Sequence, residues 1–81
     1  MTVTVQFFAR ARELAGRAGT SMTLPAGATV PAVLDALVRQ YPALAPLAPY
    51  LRVAVNQQLV DGERIVREGD DLAIFPPMSG G

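Results

Sequence analysis

Residues 29–42 read Thr-Val-Pro-Ala-Val-Leu-Asp-Ala-Leu-Val-Arg-Gln-Tyr-Pro, and this stretch decides the architecture. Val30, Val33, Leu34, Leu37, Val38 and Tyr41 recur at three- and four-residue spacing, which draws one apolar stripe down a helix. Thr29 stands where an N-cap belongs. Pro31 falls in the first turn, where a missing amide proton costs little, and Pro42 closes the far end. A helix with a single stripe needs one apolar surface to lie on, and the segments on either side supply it.

Toward the N-terminus, Val3, Val5 and Phe7 alternate with Thr2, Thr4, Gln6 and Phe8, the period of a strand. Phe8 then falls on the otherwise polar side. Arg10 to Ala15, ended by Gly16, predicts a single helical turn. Met22 and Leu24 mark a second short strand, which pairs most simply antiparallel with the first. Beyond the helix, Pro46 and Pro49 punctuate an apolar connection up to Tyr50 in which no regular structure is predicted. Leu51 to Val55 resumes a strand, Asn56 and Gln57 suit a turn, and Leu59 and Val60 begin a short return before an Asp61-Gly62 turn. After a further turn at Glu68 to Asp71, Leu72 to Phe75 form the last strand, which Pro76 and Pro77 must stop.

The predicted order is strand, strand, helix, strand, short strand, strand. It gives an α+β fold of the β-grasp kind, one mixed sheet with one long helix packed on one face. Residues 1–77 make the domain and 78–81 a flexible C-terminal tail. Val3, Val5, Phe7, Leu72 and Ile74 then read as core beneath the helix, which leaves Phe8 and Phe75 on the uncovered face. Two aromatics on one open face favour a partner surface.

Composition narrows the function. The chain has 81 residues, 51% of them hydrophobic, which suits one compact domain. It has no cysteine and no histidine, which excludes disulfides, zinc sites of the usual ligand types and Ser-His or Cys-His nucleophile pairs. Glu63, Glu68, Asp70 and Asp71 form an acidic cluster, but Arg64 and Arg67 interleave with it around turn residues, so it reads as solvated surface and no metal is assigned. Seven basic and seven acidic side chains cancel, which gives no field that would draw the protein to nucleic acid or an anionic membrane. Its apolar runs fall far short of the roughly 20 residues that span a bilayer, and the N-terminus lacks a basic stretch followed by an apolar one, so the expected location is cytoplasmic.

Three segments carry a resemblance: Phe7-Phe8-Ala9-Arg10-Ala11-Arg12-Glu13-Leu14-Ala15-Gly16, Val53-Ala54-Val55-Asn56-Gln57-Gln58-Leu59-Val60, and Gly69-Asp70-Asp71-Leu72-Ala73-Ile74-Phe75-Pro76-Pro77-Met78-Ser79-Gly80-Gly81. In this order and spacing they resemble the small subunits of molybdopterin synthase, the MoaD/ThiS-like, ubiquitin-like sulfur carriers. The resemblance implies that the working group is the carboxylate of Gly81, adenylated by an E1-like enzyme and then converted to a thiocarboxylate, with Gly80 letting the tail thread a partner's channel. It implies docking on the synthase large subunit, in a heterotetramer of two small and two large subunits, to give sulfur to cyclic pyranopterin monophosphate. Loading would come from a sulfurtransferase or cysteine desulfurase. ATP and the sulfur donor belong to those partners, and no cofactor is expected on this chain.

Phe8, Leu59 and Phe75 are the expected hydrophobic centre of docking, with Pro76, Pro77, Met78 and Ser79 leading to the tail. Pro76 and Pro77 would stiffen the base from which it projects. Arg10, Arg12 and Arg17 lie beside this face; Arg12 could make a rim salt bridge, guide the tail, or be a plain surface arginine. Sister carriers for thiazole or tRNA thiouridine synthesis share the fold and the tail. A ubiquitin-like modifier joined to lysines and a plain binding module are the readings from other classes.

Overall fold

The computed structural model describes residues 1–60 and 62–77. The tail residues Met78, Ser79, Gly80 and Gly81, and Asp61 of the expected turn, lie outside the described residues.

Five strands and two α-helices follow one another as β1 (Thr2–Phe7), α1 (Ala9–Ala15), β2 (Gly19–Thr23), α2 (Val30–Gln40), β3 (Arg52–Val55), β4 (Gln58–Val60) and β5 (Asp71–Phe75). The sheet runs β2-β1-β5-β3-β4; β1 and β5 are parallel and the other pairs antiparallel. The fold is the α+β, mixed-sheet β-grasp expected from the element order.

Strand alternation places the core. Register sets Phe7 beside Ile74 and Ile74 beside Val53, then Val5 beside Leu72 and Leu72 beside Val55, so two rows of bulky side chains cross three strands. All six are at most 3% exposed. Val33 and Leu37 of α2 are fully buried in the same cluster, as the helix stripe requires. Among the described residues no polar or charged side chain is buried, so this core carries no desolvation cost to offset.

Several local readings change. The segment before β3 is not irregular: Pro42–Leu44 and Ala48–Tyr50 are single 3₁₀ turns, and Leu44 is fully buried. Pro42 and Pro49 fall in their first turns, Pro46 lies between them, and backbone bonds such as Leu47 N–H to the Leu44 carbonyl (2.9 Å) and Tyr50 N–H to the Leu47 carbonyl (2.9 Å) keep the segment in tight turns. Helix α1 runs seven residues, more than one turn, and Gly16 ends it at φ 77° with its N–H on the Arg12 carbonyl. Strand β2 begins at Gly19, where a Cβ would lie 2.6 Å from the Val5 carbonyl oxygen. That approach keeps Gly19 a glycine.

Thr29 holds the N-cap position of α2 without a side-chain cap bond. The Val30 N–H instead meets the Arg64 carbonyl at 2.9 Å, and Thr29 bridges Ile65, so the segment after β4 tethers the start of the helix. At its other end Tyr41 packs edge-on against Phe7, with ring centroids 5.5 Å apart and planes at 81°. Arg17 donates to the Tyr41 hydroxyl at 3.2 Å. Arg17 therefore serves the helix side of the sheet and not the partner face beside which the sequence placed it. Thr20 first, and then Arg17, hold the Tyr41 phenol below its ordinary range. A depressed phenol adds stability in full above its unfolded pKa, and that contribution is lost as pH falls through the folded one.

Candidate functional site

The side chains that alternate away from the core make the open face. On β5 they are Asp71, Ala73 and Phe75; on β3, Arg52 and Ala54; on β1, Thr2, Thr4 and Gln6. Register joins them into rows. One row runs Leu59, Ala54, Ala73, Gln6 across four strands, and another sets Arg52 opposite Phe75.

Phe8 follows β1 instead of lying in it, as the N-cap residue of α1 with φ −126° and ψ 152°. Its N–H donates to the Ile74 carbonyl at 3.0 Å, which carries the parallel ladder one residue past the strand and brings Phe8 level with Phe75. Phe8 is 45% exposed and Leu59 54%, whereas Phe75 and Pro76 are half-buried and Pro77 is exposed. The chain turns sharply here, because Ala9 takes φ 52°, an angle uncommon outside glycine.

The predicted anchors therefore share one face without forming one cluster. Phe8 and Phe75 mark the end where the chain leaves the sheet toward Gly80 and Gly81. Leu59 stands two strands over and two residues along from Phe75, about 12 Å away by strand spacing. Ala54 and Ala73 lie between them and make a low floor. Sequence periodicity could not single out these alanines, since alanine carries no strong signal until register sets two of them side by side. Tyr50, in the turn before β3, and Ile65 are also exposed, but strand register places neither on this face.

At the far end of the face the acidic residues are braced by amides. Gln6 Nε2 donates to both Asp71 carboxylate oxygens, at 3.1 and 3.2 Å, and Asn56 Nδ2 donates to Asp70 Oδ1 at 3.0 Å. Asp70 Oδ2 also accepts from the Arg67 N–H, and Glu68 from the Thr2 N–H, each at 2.8 Å. Among the described residues no group of three or more ligating side chains could hold a metal. Arg12 is exposed on α1, and Arg10 pairs with Glu13 at 3.4 Å. Among the described residues no helix is long and apolar enough to cross a membrane.

Comparison with known proteins bears on the family and the fold. The ThiS family pattern matches residues 5–81. The molybdopterin synthase sulfur carrier subunit of Arabidopsis thaliana is 39% identical, over 98% of this chain and 82% of that protein. Its namesake in Drosophila yakuba is 42% identical, over 100% of this chain and 92% of that protein. Among solved structures, SAMP1 of Haloferax volcanii superposes with a TM-score of 0.87 at 31% identity, over 100% of both chains. A chain from the complex of subunits 1 and 2 of the molybdopterin-converting factor of Helicobacter pylori shares the fold, with a TM-score of 0.72 at 21% identity over 100% of both chains. On the family match and these full-length relatives, the chain belongs to the ThiS family, alongside proteins named molybdopterin synthase sulfur carrier subunits.

Proposed function

We propose that this chain is the sulfur-donating subunit of a molybdopterin synthase, that Gly81 carries the sulfur, and that the open face docks on the large subunit. The observation that carries the reading is the place where the chain leaves the sheet: Pro76 and Pro77 follow β5 directly, at the end of the face marked by Phe8 and Phe75. A partner seated there has the tail at its surface. The four residues beyond Pro77 reach at most about 13 to 14 Å, so the partner's reacting centre must lie within that distance.

A carboxylate is unreactive toward sulfur until its oxygen becomes a leaving group. An E1-like enzyme joins the Gly81 carboxylate to the AMP portion of ATP with loss of pyrophosphate. The outer sulfur of a persulfide on a sulfurtransferase or cysteine desulfurase then attacks the acyl carbon and displaces AMP, and a thiol reductant cleaves the resulting acyl disulfide, leaving the thiocarboxylate and a disulfide. The resulting thiocarboxylate presents a nucleophilic sulfur to cyclic pyranopterin monophosphate in the large subunit, and two small subunits serve two large ones. Glycines at the end let the tail enter a narrow channel and take the backbone angles required there. The catalytic side chains of these steps belong to the partners, and a carrier that holds sulfur on its terminal carboxyl needs no thiol of its own.

Removing Gly81, or extending the chain past it, abolishes loading by the adenylating enzyme and sulfur donor while thermal unfolding stays unchanged, because no core side chain is touched. Intact-protein mass spectrometry reads the loading as an oxygen-to-sulfur exchange confined to the last peptide. A truncated chain that still acquires sulfur removes Gly81 from the reaction. The likeness to SAMP1, a small archaeal modifier protein, favours a second reading as a protein modifier. Isopeptide conjugates to lysines in cell extracts, abolished by the same truncation, would select it.

A further inference from the structure

The open face carries opposite charges at its two ends. Exposed Arg52, opposite Phe75, stands at the end where the tail departs. At the other end of the same face is Asp71, opposite Thr4, with Asp70 before it in the chain. Asp71 and Phe75 are four residues apart on one strand, a separation of about 13 Å. The floor between them, Ala54 and Ala73, is uncharged.

Neither end is neutralised from within the described residues. The Asp70 and Asp71 carboxylates accept from the side-chain amides of Asn56 and Gln6 and from a backbone N–H, which hold them in place without cancelling their charge. Arg52 has no ion-pair partner among the described residues. The separation exceeds the Debye length of about 8 Å at physiological ionic strength, so the two charges do not quench each other and each acts on whatever group a partner places against it.

We propose that Arg52 and Asp71 fix the orientation in which the carrier docks. The large subunit presents an acidic group against Arg52, beside the mouth of its tail channel, and a basic group about 14 Å away, diagonally across two strands, against Asp71. This rests on the docking reading above. The alanine floor is itself non-directional, so direction along the face is set by what stands at its ends, the Phe8 and Phe75 aromatics and the two charges. In a carrier turned end for end, the root of the tail would sit at the wrong end of the face, displaced by about the tail's whole reach. Two opposite charges at the ends discourage that placement, since reversal brings like charges together.

Association of the purified carrier with the large subunit from the same organism tests the assignment. Arg52→Glu slows association about tenfold at roughly 50 mM salt, and Asp71→Asn, which keeps an acceptor for Gln6, slows it less. Both differences shrink toward parity at about 0.5 M salt. Arg52→Lys retains most of the rate, which separates charge from packing. Phe75→Ala, the control, weakens binding at both salts through faster dissociation. If Arg52→Glu and Asp71→Asn associate like the parent protein at low salt while Phe75→Ala fails, docking is apolar and the charge assignment is overturned. If Phe75→Ala binds like the parent protein, the docking reading falls and the charge assignment falls with it.

Discussion

The two faces of the sheet are cut from the same five strands, residue by residue, yet they carry different kinds of side chain. The covered face holds Phe7, Leu72, Ile74, Val53 and Val55, all at most 3% exposed. The open face holds Ala54 and Ala73 at its middle, Leu59 at one edge and Phe75 with Phe8 at one end. Bulk fills one side, where it must exclude water from beneath α2. Ala54 and Ala73 occupy the middle of the other, where no helix covers them. Ile74 and Phe75 are neighbours in sequence, similar in hydrophobicity, and separated in role by the strand's two-residue period alone. Apolarity therefore does not tell the covered face from the open one here; the parity of the position does.

That contrast breaks or stands on a matched pair of truncations. Ile74→Ala removes a fully buried side chain and lowers stability by about 2 to 5 kcal/mol in chemical denaturation, leaving affinity per folded molecule unchanged. Phe75→Ala reverses the pattern, weakening the large-subunit complex by about 2 kcal/mol in titration calorimetry and costing stability less than Ile74→Ala does. Equal stability losses at the two positions would mean that the faces are not separate.

The floor gives a smaller and sharper test. Ala73→Leu places a larger side chain between Gln6 and Ala54, away from the core. It reduces affinity by about 1 to 2 kcal/mol through steric clash and shifts stability by no more than about 0.5 kcal/mol. Surface plasmon resonance and thermal unfolding of the same preparation separate the two effects. Unchanged affinity would place the partner's footprint elsewhere on the sheet.

The sequence already showed the covered face, because Val3-Val5-Phe7 and Leu72-Ile74 alternate and the α2 stripe recurs at helical spacing; both signals are local. Leu44 was not legible. It lies in an apolar run broken by prolines, and only the two 3₁₀ turns aim it inward. Capping misled at Thr29: Pro31 at the second helical position has no N–H to give it, and the start of the helix is tethered instead from the Arg64 carbonyl, far along the chain. Phe8 and Phe75 were visible as aromatics out of phase with the core. Arg52, Ala54 and Ala73 were not, because their meaning depends on pairing between strands that no single segment records. The motif residues near Gly81 were read by resemblance and not by physics, since a terminal glycine pair has no periodicity to betray it.

The smallest predicted effect concerns the joint between the faces. Phe8 is extended, and Ala9 immediately takes φ 52°, turning the chain off the sheet and into α1. A Cβ in that region crowds the following carbonyl and costs about 1 kcal/mol. The Ala9 side chain is exposed, so no burial offsets the strain. Ala9→Gly therefore relieves more than it loses to the freer unfolded chain, for a gain of about 0.5 kcal/mol in stability. Ala9→Val goes the other way, because a β-branched side chain tolerates positive φ worse than alanine does. Affinity for the large subunit should stay level in Ala9→Gly if the Phe8 N–H bond to the Ile74 carbonyl is what sets Phe8 in place. Should Ala9→Gly gain stability but lose affinity, the strained turn is what aims Phe8 at the partner, and the open face depends on backbone geometry outside the sheet as well as on strand parity.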